Sequence, residues 1–210
     1  MRGSKFAKAL RLAAAHIRQP RYARRYMANL FVPPIASGLP WFTFSAIEFL
    51  ETWIEPRHDV FEYGCGGSTL FFAQRARSVT SVEHNGKWAR SVAAAALKRG
   101  LTNVTMEVRE AGREPPLADS PYCLALDRSF DVVVVDGWAL GKCSEADRRA
   151  VRSRGACFQR AEQFVRPGGI IVLDDAWFDP EIAHHARDRR VFSGTGPWRI
   201  GASRTDVFFY

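Results

Sequence analysis

The fold is decided by the stretch VFEYGCGGST at residues 60–69. Its first four residues are β-branched or aromatic apart from one acid, which favours a strand. Three glycines follow, and the residues after them have a helical pattern. Because glycine has no side chain, backbone N–H groups at such a turn can approach a ligand closely. The stretch therefore predicts a strand, a tight turn and a helix, with a ligand bound against the turn.

Short runs of β-branched and aromatic residues alternate with Ala-rich stretches from residue 59 onward. Such alternation is typical of a parallel sheet covered by helices on both faces. The run at 132–135 is apolar at every position, as expected of a strand buried on both faces. Glycine and proline residues at 194–201 stand where a helix would otherwise join the last two strands, which indicates an antiparallel hairpin. The predicted strands are 60–63, 79–83, 104–108, 131–136, 170–174, 190–192 and 207–210.

Four helices are predicted in the body of the chain, at 45–54, 70–76, 88–99 and 157–164. Ser45 is the predicted N-cap of the first, with Glu48 completing a capping box. Trp41, Phe42 and Phe44, just before this helix, are predicted either to line the mouth of a site or to cover the core.

A second polar feature follows one strand after the glycine turn. Glu83 ends the second predicted strand, about 20 residues after the glycines, where a carboxylate can accept two hydrogen bonds from a ribose diol. The turn and this acid together predict a nucleoside-binding crevice at the carboxyl ends of the strands.

Two classes of nucleoside ligand compete for this crevice, the dinucleotides and S-adenosylmethionine. The dinucleotide fingerprint GxGxxG is incomplete, because Thr69 occupies the third glycine position. Glu62 would repel a pyrophosphate but could hold the ammonium group of a methionine moiety, directly or through water. The charges therefore favour S-adenosylmethionine.

On these motifs, the sequence from about residue 45 to 210 resembles the class I S-adenosylmethionine-dependent methyltransferases. Residues 62–69 look like that family's first motif, residues 130–137 like its fourth-strand motif, and residues 166–175 like its fifth strand. The resemblance implies a Rossmann-like α/β three-layer sandwich whose seven-stranded, mostly parallel sheet has the order 3-2-1-4-5-7-6, with strand 7 antiparallel. The cofactor-binding residues that it implies are Glu62, Tyr63, Gly64, Cys65, Gly66, Gly67, Ser68, Thr69, Glu83, His84, Glu110 and Asp136.

Asp136 is the candidate catalytic residue, since a carboxylate in reach of an acceptor hydroxyl can act as its base; alternatively it binds only the cofactor. In catechol-type O-methyltransferases an aspartate after the fourth strand and an Asp-Asn pair after the fifth hold a divalent cation. Here the corresponding residues are Asp136, Asp174 and Asp175. They would suit Mg²⁺, but Asp174 could equally cap the following segment, so metal dependence stays open.

The first 47 residues carry eight Lys and Arg residues and no acid, which accounts for the whole net charge of +8. Apolar residues at 6, 10, 13 and 17 predict an amphipathic helix there. Residues 1–44 are thus predicted to be a basic arm and linker, and 45–210 the methyltransferase domain. The arm could pack on its own domain, contact a membrane surface or acidic partner through residues 1–29, or bind nucleic acid.

Composition and cysteine spacing indicate the class of protein and its compartment. The chain has 210 residues, 47% of them hydrophobic, which suits one globular domain. Its four cysteines lack disulfide or zinc spacing, and no apolar run reaches the ~20 residues of a membrane span. A cytoplasmic protein with reduced thiols, attached or not to a membrane by its arm, is predicted. A basic segment at 141–154 could form a lid over an anionic acceptor, or a solvated helix.

The predicted function is transfer of a methyl group to the oxygen of a small-molecule, sugar or lipid-linked acceptor. Nucleic acid is disfavoured as the acceptor, because Asp136-Gly137-Trp138 lacks the Pro-Pro-aromatic pattern of amino-methylating DNA enzymes. The alternatives are a non-catalytic methyltransferase-like module whose arm binds a membrane or acidic partner, and a nicotinamide-dependent oxidoreductase.

Overall fold

The computed structural model describes residues 19–110, 117–137, 145–197 and 201–210. A seven-stranded sheet has the strand order β3-β2-β1-β4-β5-β7-β6. Its first five strands along the chain pair in parallel, and β7 runs antiparallel to both β5 and β6. The predicted fold class is confirmed. The strands are β1 Asp59–Tyr63, β2 Ser78–Glu83, β3 Val104–Val108, β4 Phe130–Val135, β5 Val165–Asp174, β6 Asp188–Gly194 and β7 Ser203–Phe209.

Helices cover both faces of this sheet. The predicted helices at 70–76, 88–99 and 157–164 are present, and each begins earlier than predicted. Short 3₁₀ turns occur at Leu117–Asp119 and Ala176–Phe178. The helices are α1 Arg21–Asn29, α2 Pro34–Ser37, α3 Phe44–Trp53, α4 Gly67–Ala73, α5 Gly86–Lys98, α6 Pro121–Leu124 and α7 Glu145–Phe164.

The predicted cap of the helix at 45–54 is wrong. Helix α3 begins at Phe44, and its N-cap is Thr43, whose side-chain oxygen accepts a hydrogen bond from the Ala46 N–H. Thr43 and Phe44 are both fully buried, and the Thr43 N–H donates to the Thr205 hydroxyl at 3.2 Å, so tertiary contacts hold the start of the helix at this position. Glu48 does not close a capping box; its carboxylate accepts a hydrogen bond from the Tyr22 hydroxyl at 2.6 Å.

The hydrophobic core lies in two layers, one on each face of the sheet. Strand β4 contributes to both, because Val132 and Val134 belong to one cluster and Val133 and Val135 to the other. All four side chains are fully buried, as the uninterrupted apolar run predicts. The sheet is therefore rigidly held at its centre, next to the carboxyl ends of β1 and β4.

Helix α1 is packed on the body of the protein. Tyr22 and Tyr26 are buried in the same core layer as α3, and Arg25 forms an ion pair with Glu51 at 3.1 Å. The amphipathic helix predicted around residues 6–17 lies outside the described residues. In the part of the chain that is described, no helix is long and apolar enough to span a bilayer.

Candidate active site

A cavity of about 360 Å³ lies at the carboxyl ends of the central strands, within the size range of small-molecule sites. The turns after β1, β2, β4 and β5 all contribute to it, and the segment around α2 forms one wall. Its lining residues are Pro34, Leu39, Trp41, Gly64, Cys65, Gly66, Gly67, Ser68, Glu83, His84, Asn85, Trp88, Asp136, Gly137, Arg154 and Asp175.

The three glycine positions of the first turn lack a side chain for different structural reasons. Gly64 has φ +94°, a conformation that favours glycine, and a Cβ there would lie 2.9 Å from the Gly137 Cα atom. A Cβ at Gly67 would collide with the carbonyl oxygen of Leu39. At Gly66 a Cβ would meet only the Trp88 ring, at 3.9 Å, so the missing side chain leaves space in the cavity.

Glu62 lies beneath the turn, not in the cavity. It is fully buried, and its Oε2 atom accepts hydrogen bonds from the hydroxyls of Thr69 at 2.6 Å and Ser81 at 2.7 Å. Burial raises the pKa of Glu62 to about 7, although the neighbouring hydroxyls oppose the shift. No described residue forms a hydrogen bond with its Oε1 atom. The carboxyl group therefore ties β1 to β2 and to α4.

Glu83 lines the cavity and is held by the chain that follows it. Its Oε1 atom accepts hydrogen bonds from the backbone N–H groups of His84 at 2.9 Å and Asn85 at 2.8 Å. Its Oε2 atom accepts a longer bond from the Cys65 thiol, at 3.7 Å. Burial alone would raise the pKa of Glu83, but the hydrogen bonds from His84 and Asn85 outweigh it and lower that pKa. An ionised carboxylate thus faces the cavity at a fixed position.

Two tryptophans border the cavity. The Trp88 indole donates a hydrogen bond to the Cys65 carbonyl oxygen at 2.6 Å, which holds the ring against the glycine turn. Trp41 lies on the opposite segment, whose position is fixed by the Arg99 guanidinium through hydrogen bonds to the carbonyl oxygens of Ile35 and Ala36. Both indoles are about one third exposed, so they form a partly open aromatic rim.

Arg154 of α7 joins the ends of β4 and β5. Its guanidinium donates to the carbonyl oxygens of Asp136 at 3.1 Å, Gly137 at 3.4 Å and Asp174 at 2.9 Å. It also lies 3.6 Å from the Asp136 carboxylate and 3.7 Å from that of Asp175. The arginine side chain is only 9% exposed. A buried positive charge therefore lies between two of the three aspartates that were considered as metal ligands.

Asp174 and Asp175 also form hydrogen bonds with neighbouring elements. Asp174 Oδ1 accepts a hydrogen bond from the Thr205 hydroxyl on β7 at 2.9 Å. Asp175 has φ +52°, unusual for a residue with a side chain, and its Oδ1 atom accepts from Trp177 at 3.0 Å and Ser203 at 3.2 Å. In the described part of the chain, no group of three His, Cys, Asp or Glu side chains is arranged to hold a metal ion.

Most of the residues predicted for the site lie together. Glu62 and Thr69 lie under the turn, Tyr63 is buried and donates to the Cys123 carbonyl oxygen, and Glu110 is exposed outside the cavity. The segment at 141–154, predicted to be a lid or a solvated helix, begins outside the described residues, and from Glu145 onward it is the first half of α7. The predicted residues that line the cavity are Gly64, Cys65, Gly66, Gly67, Ser68, Glu83, His84 and Asp136.

Several lining residues were not predicted as part of the site. Asn85 caps α5 with its side chain, and an Asn directly before a helical stretch is a readable cap signal. Trp88 was predicted to serve in packing, and the sequence offers no signal that its ring would reach the glycine turn. Arg154 was predicted only as one of several charges in a lid. Its place between two strand ends depends on tertiary structure.

The family model described as a methyltransferase domain matches residues 61–176 of this chain. That match begins in β1 and ends just after β5, so it includes the glycine turn, Glu83 and Asp136. No curated protein matches the sequence significantly.

Many solved structures have a similar fold. A proposed O-methyltransferase from Klebsiella pneumoniae is 14% identical, with a TM-score of 0.56, over 97% of this chain and 98% of that one. An rRNA methylase from Streptococcus thermophilus is 11% identical, with a TM-score of 0.56, over 79% and 94%. A proposed methyltransferase from Streptococcus mutans in complex with SAH is 9% identical, with a TM-score of 0.53, over 79% and 96%. At these identities the likeness establishes the fold alone.

Proposed function

This chain belongs to the methyltransferase-domain family, with the fold of class I S-adenosylmethionine-dependent methyltransferases, and we propose that it transfers a methyl group from S-adenosylmethionine to an acceptor hydroxyl. The observation that carries the proposal is the position of Glu83, which lies on the same cavity as the glycine turn. A ribose-binding carboxylate and an open backbone turn on one cavity suit an adenosyl compound.

The residues present fit this cofactor. The space that a side chain at Gly66 would fill is open. Glu83 Oε1 is held by two backbone N–H groups and lies 2.8 Å from His84 Nδ1, whereas among the described residues Oε2 has the long Cys65 thiol contact. Trp88 and His84 border the same space. We assign Glu83 to the ribose hydroxyls, and the backbone of residues 64–68 to the methionine end. When bound, the cofactor supplies a sulfonium methyl group that is already activated for transfer.

The role of the protein is then to align the acceptor, exclude water and accept a proton. Asp136 lies at the end of β4 on the cavity, and the positive charge of Arg154 at 3.6 Å stabilises its carboxylate. We propose that the Asp136 carboxylate accepts the proton of the acceptor hydroxyl as the oxygen is methylated. Trp41 and Trp88 form the rim that limits access of water.

A divalent metal does not fit the aspartates of this site. The Arg154 guanidinium lies between the carboxylates of Asp136 and Asp175, and Asp174 is bound to Thr205 of β7. A cation added there would be repelled by the arginine. We therefore derive no catalytic step through a metal.

The acceptor is proposed to be a small molecule, a sugar or a lipid-linked compound. Proteins of this fold include both a proposed O-methyltransferase and an rRNA methylase, so the fold does not define the acceptor. The mixed lining of two tryptophans, two aspartates and an arginine suits an acceptor with both apolar and hydroxyl groups.

Titration calorimetry tests the cofactor assignment. We expect S-adenosylhomocysteine to bind the wild-type chain and NAD not to bind. Glu83→Gln should weaken S-adenosylhomocysteine by about 10- to 100-fold, because the ribose loses a charged hydrogen-bond acceptor. Glu107→Gln on the neighbouring strand β3, whose carboxylate pairs with Arg109 outside the cavity, is the matched control and should bind normally. Binding of NAD alone, or an unchanged affinity in Glu83→Gln, would overturn the proposal.

Turnover is tested separately with a panel of hydroxyl acceptors and detection of methylated products by mass. The non-catalytic alternative predicts cofactor binding without any product. If the wild-type chain forms a methylated product, Asp136→Asn should lower kcat by about 100-fold or more with little change in cofactor affinity, since a base contributes roughly that factor.

A further inference from the structure

The outer side of α1 and the turn after it expose two large apolar residues. Met27 is 64% exposed and Phe31 is 82% exposed, the highest value for a large hydrophobic residue in the described ranges. Arg24, also exposed, precedes them at helical spacing, and Leu30 keeps helical backbone angles, so Arg24, Met27 and Phe31 lie along one side. We call these three residues the outer stripe.

The helix cannot turn to bury this stripe, because its other side is fixed to the body. Tyr22 and Tyr26 are buried in the core, and the Tyr22 hydroxyl donates to Glu48. The Arg25 guanidinium bonds to Glu51 at 3.1 Å and lies 5.2 Å from the centre of the Phe44 ring. The exposure of the outer stripe is therefore a built feature of the fold, not the consequence of a loosely attached helix.

The sequence around the stripe is rich in positive charge. Residues 1–47 contain eight basic residues and no acid, and Arg21, at one end of α1, has a side chain that is 69% exposed. The two acids of α3 closest to α1, Glu48 and Glu51, face its inner side, where they pair with Arg21 and Arg25. Basic and large apolar side chains together are typical of helices that lie on an anionic membrane surface.

We propose that the outer stripe is a docking surface for an anionic lipid bilayer. Met27 and Phe31 insert at the boundary between headgroups and acyl chains, while Arg24 beside them contacts lipid phosphates. Arginines alone would suit a nucleic-acid backbone equally well, but that ligand gives no reason for an exposed methionine beside the phenylalanine. The proposal does not depend on the methyltransferase activity.

Co-sedimentation of the full chain with vesicles tests the surface. The wild-type chain should bind vesicles of phosphatidylcholine with phosphatidylglycerol more strongly than phosphatidylcholine alone, and less strongly as salt is raised. The double variant Met27→Ser/Phe31→Ser should lower the partition coefficient by about tenfold or more, because two apolar side chains no longer enter the bilayer. Leu97→Ser on α5, which is 70% exposed, is the matched control and should bind like the wild type.

Three results would overturn the proposal: no binding of the wild-type chain to anionic vesicles, equal binding by the double variant, or an equal loss in Leu97→Ser. Binding of a structured RNA without binding of vesicles would assign the basic surface to nucleic acid instead. S-adenosylhomocysteine affinity and the melting temperature of the double variant serve as the folding control, since the substituted side chains are exposed and should change neither.

Discussion

Glu62 is a buried acid that couples the stability of this chain to pH. Burial raises its pKa from an ordinary 4.5 to about 7. Between those two values the folded chain keeps a proton that the unfolded chain has released. The contribution of Glu62 to the free energy of unfolding therefore falls as pH rises through this interval, and stays constant above it. We expect Glu62→Gln to reduce that fall by about 1–3 kcal/mol.

Chemical denaturation of the unliganded chain at several pH values measures this effect. Glu55→Gln provides the control, since that side chain is half exposed and, within the described ranges, pairs with Arg57. Glu55→Gln should show the same pH dependence of stability as the wild type. If it does, and the difference in stability between Glu62→Gln and the wild type does not change with pH, Glu62 is not protonated in the folded chain.

The sequence predicted which acids belong to this region better than it predicted their roles. The spacing of Glu83 from the glycines placed it on the cavity, because strand length and the parallel crossover fix that distance. Glu62 was predicted to face the ligand ammonium, but alternation along β1 does not reveal the depth of a side chain below the turn. Its role toward the cofactor stays a prediction.

Arg154 connects helix α7 to the carboxyl ends of β4 and β5. Without its guanidinium, three carbonyl oxygens lose a donor, and the carboxylates of Asp136 and Asp175 lose the positive charge between them. We expect Arg154→Met to lower the free energy of unfolding by about 2–4 kcal/mol, since breaking a buried charge pair leaves a charge uncompensated. Urea denaturation at neutral pH measures the loss.

Arg160→Met on the same helix is the matched comparison. Among the described residues, Arg160 donates to the Leu126 carbonyl oxygen and lies 4.3 Å from the centre of the Phe164 ring, so its replacement should cost only about 1–2 kcal/mol. Equal losses for the two variants would mean that the contacts of Arg154 with the two strand ends stabilise the fold no more than those of Arg160.

The elements themselves were largely predictable, whereas their ends were not. Periodicity located α4 and α5, but α4 starts within the glycines, where propensity disfavours a helix and tertiary contacts with the segment around Leu39 decide. The cap of α3 was misplaced for a related reason. Thr43 and Ser45 are equivalent cap residues in sequence, and only the burial of Phe44 distinguishes them.

At the scale of the whole molecule, α1 is attached to the core by aromatic residues. We expect Tyr22→Ala to lower the free energy of unfolding by about 3–5 kcal/mol, as for other large aromatic deletions in a core. Tyr22→Phe should cost only about 1 kcal/mol, because it keeps the ring and loses the hydrogen bond to Glu48. Thermal and chemical denaturation of both variants measure the two contributions.

These variants also test the predicted boundary at residue 44. A loss below about 1 kcal/mol in Tyr22→Ala would mean that the helix is an appendage of the domain. The boundary was placed at the prolines and glycines of residues 33–40, which punctuate the chain locally. Such residues do not reveal that aromatic side chains before them pack against α3. The order of the strands, in contrast, followed from the resemblance, since it needed only the sequence of motifs.

Strand β7 is the last strand of the sheet to be synthesised, yet it lies between β5 and β6. Until it leaves the ribosome, one edge of β5 is unpaired, β6 has no neighbouring strand in the described sheet, and the apolar positions that meet Val207 and Phe208 are uncovered. Unpaired edges of this kind are open to pairing with other nascent chains. The yield of native protein should therefore be sensitive to events before β7 emerges and closes the sheet.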